Sequence, residues 1–370
     1  NEGNMANNIT IRCFVVVFLV PILSATPVLR FSENGEFKIL QVADMHYANG
    51  YTTPCLDIPR SLNRWCSDLN TTAFLRRVIQ VENPNLIVFT GDNIFGSDAK
   101  DAATSLKEAF APAIESNIPW AAVLGNHDQE SNLSREEVMK HIVKLDNTVS
   151  ILNPEEAPFR KRFGNYNLQV RGPQGNSSLL NLFFLDSGDY SSVPWYPGYA
   201  WILLSQKRWF LRTALRLRKE NLLEDREPAP GLVYFHIPVP EFGSFGTGEM
   251  RGVKQEKIGT AKRNTGFFEA MVEARDVVAA FVGHDHVNDF CGKKEGVSLC
   301  YGGGFGYHAY GKVGWPRRAR VVVASLRKDG GAWGNVHSVV TWKRLDDHGL
   351  SVIDREELWG PQTHIDQASA

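Results

Sequence analysis

Five short polar clusters recur along this chain, each directly behind an apolar run, and this recurrence constrains the fold more than any other feature. They are Asp44-Met45-His46, Gly91-Asp92-Asn93, Gly125-Asn126-His127-Asp128, the lone His236 in Tyr-Phe-His-Ile-Pro, and Gly283-His284-Asp285-His286. Phe37 to Ala43, Leu86 to Thr90, Trp120 to Leu124, Leu232 to Phe235 and Val277 to Val282, the runs ahead of them, read as strands. Helical stretches lie between. Thr71 is expected to cap one that runs to about Val81 and stops at Asn83-Pro84, and others cover Asp101 to Ser116, the region opened by the Ser134 to Glu137 capping box, Ser205 to Glu220, and Phe267 to Ala274. Such alternation implies parallel βαβ units, whose ligand crevice lies at the carboxyl ends of the strands. One domain must therefore bring clusters spread from residue 44 to residue 286 to a single edge. A further strand is expected at Leu180 to Leu185. Beyond Gly283, short β-like runs at Val297 to Tyr301, Arg320 to Leu326 and His337 to Trp342 make the second half richer in strand than a simple doubly wound sheet. The segment after Leu345 carries no pattern and reads as a tail, 346–370, behind a domain of 30–345.

A 370-residue chain with 43% hydrophobic residues can bury a large core. Its 40 basic and 41 acidic residues leave a formal charge of −1, so no basic surface argues for nucleic acid or an anionic membrane, and an anionic substrate would need a local site. Arg12, the apolar stretch Cys13 to Leu23 and the small residues Ser24-Ala25-Thr26 read as a signal peptide over 1–25, with residues 1–4 extraneous. The apolar stretch is about half of what spans a bilayer, which favours cleavage and secretion, to the cell exterior, cell wall or vacuole, over stable membrane insertion. Without Cys13, four cysteines remain in two local pairs, Cys55 with Cys66 and Cys291 with Cys300. An oxidising compartment and short loops favour that pairing, although sequence does not fix the connectivity. Sequons at Asn70, Asn132 and Asn176 fit a secreted glycoprotein.

The clusters are made of metal-ligating side chains. Two divalent cations about 3.5–4 Å apart need a carboxylate able to bridge, plus imidazoles and neutral oxygens that do not overload the site with negative charge. The clusters supply these. A bridging water between two such cations gives a hydroxide near neutral pH, able to attack a phosphate ester, while the leaving alkoxide needs an acid. His127 is the candidate for that acid, with Asp128 orienting its imidazole. Each cluster alone has a plain structural reading, as a turn, a helix cap or a core histidine. The specificity lies in their order and in their strand-end placement.

Taken together, Asp-x-His, Gly-Asp, Gly-Asn-His-Asp, a lone His and Gly-His-x-His resemble the calcineurin-like metallophosphoesterase superfamily over nearly the whole chain. Tyr234 to Phe242 (YFHIPVPEF), GHDHVNDF from Gly283, and Tyr301 to Gly311 (YGGGFGYHAYG) resemble more narrowly the plant purple-acid-phosphatase-like proteins labelled "probable inactive". The resemblance implies a four-layer α/β/β/α sandwich, with two mixed sheets flanked by helices in a single domain. By motif, it implies that Asp44, His46, Asp92 and His286 hold one metal, and that Asp92, Asn126, His236 and His284 hold the other. Asp92 would bridge, the ions being Fe, Zn or Mn. True purple enzymes carry Asp-x-Gly and Gly-Asp-x-x-Tyr, where His46 and Phe95 stand in this chain; without the phenolate, no charge-transfer colour is expected. The implied activity is hydrolysis of phosphate monoesters. Phosphodiesters and a metal-binding pseudoenzyme stand as alternatives. Tyr307 and His308 in the Gly302 to Gly311 segment, and the loop around Trp195 and Tyr196, are candidate substrate contacts.

Overall fold

The computed structural model describes residues 27–60, 64–155, 159 and 161–360; the signal-peptide reading and Cys13 lie outside them. Two mixed sheets pack face to face. The first has the strand order β13-β12-β11-β1-β2-β3 and the second β4-β5-β6-β8-β10-β9-β7. In the first, β1 (Glu36–Val42), β2 (Leu86–Thr90) and β3 (Trp120–Val123) run parallel, and β1 meets β11 (Arg318–Asp329) antiparallel. In the second, β5 (Ser178–Phe184), β6 (Gly231–Tyr234), β8 (Val277–Val282) and β10 (Val297–Tyr301) are parallel neighbours. The antiparallel additions are β4 (Tyr166–Arg171) on one edge, and β9 (Cys291–Lys294) with β7 (Met250–Arg251) on the other.

Every residue of β2 and of β8 is buried, as expected for parallel strands covered on both faces. One apolar cluster joins residues of both sheets, including Leu40, Val88, Leu182, Tyr234 and Phe281, with side chains of α1 (Asp68–Glu82), α2 (Ala102–Glu115) and α3 (Arg135–Ile142). A second lies beneath α4 (Leu204–Leu223) and α5 (Phe267–Glu273), around Phe183, Phe210 and Phe235. The expected four layers and single domain follow from this arrangement. Among the described residues no helix is long and apolar enough to cross a membrane.

Some boundaries differ from expectation. Helix α1 begins a turn early, because Ser67 rather than Thr71 caps it and Asn70 closes the box back onto the Ser67 amide at 3.0 Å. Thr71 instead sits buried inside the helix, its hydroxyl accepting the Tyr307 amide. The Ser134 box forms as expected. Beyond Leu345 the chain is not a featureless tail: β13 (Val352–Trp359) pairs with β12 (Ala332–Leu345) and forms the edge of the first sheet. Both local cysteine pairs are disulfides, Cys55–Cys66 and Cys291–Cys300.

Candidate metal centre

The parallel register of β1 and β2 continues past the strands. Asp44, His46 and Tyr47 amides donate to the carbonyls of Gly91, Asp92 and Asn93 at 3.2, 2.9 and 3.2 Å, lacing the first two clusters together. Asp44, His46, Asp92 and His284 all have positive φ, at 55°, 46°, 48° and 81°. Side-chain-bearing residues rarely adopt this conformation, and it concentrates where geometry serves function. Glycines beside them have a steric reason. A Cβ on Gly125 would lie 2.1 Å from Asp92 Oδ1, and one on Gly91 would lie 2.7 Å from His236 Nδ1. The segment after β10 passes beneath the site, where the Phe305 and Gly306 amides donate to Ala43 and Asp44 carbonyls at 3.0 Å each.

Two triads result, Asp44 with His46 and His286, and Asp92 with His236 and His284; within each, the potential ligand atoms lie within 4.8 Å of one another. All six residues are buried. Asp92 Oδ2 lies 3.2 Å from His236 Nε2 and 3.4 Å from His46 Nε2, so it faces both triads. Asn126 Oδ1 stands 3.2 Å from His236 Nε2. Outer contacts set the imidazoles: His236 Nδ1–H donates to Thr90 O at 2.9 Å and His286 Nδ1–H to Tyr310 O at 3.0 Å, which turns each Nε2 inward. Tyr310 also stacks on His286 at 3.8 Å.

Three buried atoms here have no hydrogen-bond partner: Asp44 Oδ2, His46 Nε2 and His284 Nδ1. A buried polar atom left unsatisfied costs about 1–3 kcal/mol, so three converging on one cluster is a donor set suited to cations. Electrostatics agree. Burial, only partly offset by His236, pushes Asp44 up to about 8. Burial would also raise Asp92, but His236 and His46 outweigh it and hold the carboxyl well below its usual range. His236 rises to about 9 because Asp92 and Asp44 overcome its desolvation, whereas burial pushes His284 down to about 3. The clustered charges are thus in tension until a cation joins them.

The sequence reading of Asp128 needs correction. Its buried carboxylate accepts the backbone amides of Asn93, Ile94 and Gly125 at 2.9, 3.0 and 2.7 Å, so it braces the loops and does not orient His127. Glu130 does so, its Oε2 lying 2.7 Å from His127 Nδ1. The His127 amide donates to Asp92 Oδ1 at 2.8 Å, and its ring is 5.4 Å from that of His46. Phe95 lies against both imidazoles, 5.3 Å from His46 and 4.8 Å from His127, supplying a wall without a ligand. Tyr307 and His308, expected at the rim, are engaged elsewhere. Tyr307 donates its hydroxyl to Asp346 at 2.6 Å; His308 is buried and uses both ring nitrogens, on Pro54 O at 2.8 Å and Asp98 at 3.0 Å. The Asn70, Asn132 and Asn176 side chains are exposed.

Contacts the sequence did not flag complete the surroundings. Buried Arg135 pairs with Asp186 and donates to Gly125 O at 2.6 Å, fixing the third cluster's loop; nothing in the local pattern of either residue announces the pair. Tyr190 accepts the Asn126 side-chain amide at 3.2 Å, and Tyr199 meets His284 edge-on at 4.3 Å. Glu130, three residues after His127, could have been found from that spacing.

Two layers of mixed sheet with two Asp/His triads at their carboxyl edge define a metallophosphoesterase. The sequence pattern of the calcineurin-like phosphoesterases matches residues 37–288, and the chain belongs to that family. It is 59% identical over 350 residues to "Probable inactive purple acid phosphatase 29" of Arabidopsis thaliana, covering 92% of this chain and 90% of that protein. A dimetal phosphatase from Danio rerio superposes with a TM-score of 0.55 at 15% identity, over 88% of this chain and 99% of that one. A purple acid phosphatase from yellow lupin seeds gives 0.50 at 15% identity, over 90% and 55%.

Proposed function

We propose that this chain is a secreted phosphoesterase that hydrolyses phosphate monoesters at a dinuclear divalent centre. The observation that carries this reading is the convergence of three buried, unpartnered donor atoms, Asp44 Oδ2, His46 Nε2 and His284 Nδ1, on one cluster. Asp44, His46, Asp92 and His286 would hold one cation, and Asp92, Asn126, His236 and His284 the other, with iron, zinc or manganese suited to the mixed carboxylate and imidazole set. Bound there, the two cations would neutralise phosphoryl oxygens and lower the pKa of water. The chain's own residues do the rest. Asp92 faces both triads and holds the His127 amide, which sets that loop against the centre. Glu130 fixes His127 through Nδ1, leaving Nε2 to hold the proton for the departing alkoxide. Two disulfides support the secretory assignment.

The word "inactive" in the relatives' names fits the missing tyrosine at Phe95 better than any gap in the ligand set. Metal analysis of the purified protein, with a panel of phosphate esters in added Mn²⁺ or Fe²⁺/Zn²⁺, tests the reading. Two metals per chain, colourless protein and hydrolysis of an aryl phosphate that Asp92→Asn abolishes are expected. Protein with both metals bound and no turnover of any ester would overturn it.

A further inference from the structure

A cavity of about 580 Å³ is walled by Phe163, Tyr190, Trp201, Arg162, Ser191 and Val193, and it shares Tyr190 with the surroundings of Asn126. Its volume exceeds what a phosphate or a three-carbon alcohol fills and falls within the range of pockets for larger organic ligands. The loop that follows Asp186 connects it to the metal ligands. Tyr190, in its wall, accepts the Asn126 amide at 3.2 Å and lies 5.8 Å, stacked, from Tyr199, which in turn stands against His284.

The lining has a definite chemistry. Three aromatic rings favour a flat partner, which they can stack on or meet edge-on. Arg162 is only 9% exposed; its two Nη atoms donate to the carbonyls of Lys161 at 3.0 Å and Trp201 at 3.5 Å, and its buried Nε has no partner. Donors for a ligand oxygen or ring nitrogen come from Lys161, Ser191 and Ser192 in the lining. Glu136 and Asp189 line the cavity together with Lys161, Arg162 and Arg135, the last already paired with Asp186, so the net charge offers little to a polyanion.

We infer that this cavity is the subsite for the alcohol half of the ester, and that it selects a flat ring bearing hydrogen-bond acceptors, of the nucleoside or phenol kind. The inference rests on the phosphoesterase reading above, and it places specificity in the loop around Tyr190, away from Tyr307 and His308.

Adenosine 5′-monophosphate and glycerol 3-phosphate are both primary alkyl esters, so they differ in the group offered to the cavity far more than in the bond broken. The test compares their kcat/KM in the metal-loaded protein, in Trp201→Ala, and in Ser192→Trp, which places a ring in the cavity from an exposed position. The adenosine ester should be favoured by at least about tenfold in the parent, and each variant should cut that ratio by about tenfold, the scale of one lost aromatic contact. A ratio near one in the parent, or one that neither variant changes, overturns the subsite while leaving the phosphoesterase reading intact. Should neither ester turn over, the phosphoesterase reading is decided by the wider ester panel, and calorimetry with adenosine decides the subsite: binding weakened in Ser192→Trp upholds it, while equal or absent binding overturns it.

Discussion

Glu130 shows how one residue separates neighbouring roles. His127 is followed immediately by Asp128 and three residues later by Glu130, and sequence alone favours the adjacent carboxylate. In the fold, the Asp128 carboxylate is consumed by three backbone amides and the Asn93 side chain, because the loop turns it inward beneath the strand ends. Burial raises it to about 6, the amides only partly compensating. Glu130 remains at the surface side, bonded to His127 Nδ1 at 2.7 Å and to the Ser97 hydroxyl at 2.6 Å. Glu130→Gln keeps the shape but replaces the carboxylate that holds His127 Nδ1 with a carboxamide, which can turn either its oxygen or its NH2 to the ring and so holds the imidazole less firmly. It should lower kcat by about tenfold to a hundredfold, the scale of a weakened general acid, with metal content and KM nearly unchanged. Steady-state kinetics alongside metal analysis check this; an unchanged kcat would show that the pair is only structural. The seven candidate ligands were legible as motif positions, since each motif is a strand end followed by one or two donors. The partner of His127 was misassigned: the i+3 spacing of Glu130 offered a second carboxylate, but which of the two reaches the ring depends on which way the turn faces.

Strands buried on both faces write themselves into the sequence as unbroken apolar runs, and β2, β3 and β8 were readable to within a residue. Polar edge strands do not. β13 is VIDREELW and β4 is YNLQVR, each with charged or polar residues that discourage further pairing and also hide the strand from a hydrophobicity reading. The loops at strand ends were legible through their glycines, whose reason is contact rather than flexibility. Gly125 has no room for a methyl: its Cβ would meet Asp92 Oδ1 at 2.1 Å and the Asp92 amide nitrogen at 2.2 Å. Gly125→Ala must therefore displace the carboxylate that faces both triads. Metal affinity should fall by about 10- to 100-fold, as for other changes that shift a ligand through its support, while disulfides and secondary structure persist. Equilibrium dialysis with Mn²⁺ or Zn²⁺ and circular dichroism separate the two effects; full affinity in the variant would mean that Asp92 is not a ligand.

Each triad draws on both sheets: Asp44 and His46 follow β1 and His286 follows β8, while Asp92 follows β2, and His236 and His284 follow β6 and β8. Cations held there would pin one sheet to the other, so metal binding and folding are one linked equilibrium. Its pH dependence follows from the shifts. Without metal, Asp44 titrates near 8 in the fold but near 3.8 unfolded, so its neutral form is favoured and stability is lost as pH rises between those values. His236, raised to about 9 from 6.5, contributes stability that is fully present below 6.5 and lost as pH rises through 9. His46, His284 and His286 are pushed down and Asp92 is held low, so above pH 6.5 they add no slope; Asp128 and Asp285, raised to about 6, finish titrating near there. From pH 6.5 to about 8, both remaining groups act in the same direction, at up to roughly 1.4 kcal/mol per pH unit each. Ligation requires both protons to leave, so metal binding strengthens over the same interval. The melting temperature of chelated protein should therefore fall from pH 6.5 to 8.5, and the increment gained on adding back Mn²⁺ or Zn²⁺ should widen. An increment that is constant with pH, with no protons released on metal titration near pH 7, would remove Asp44 and His236 from the ligand set.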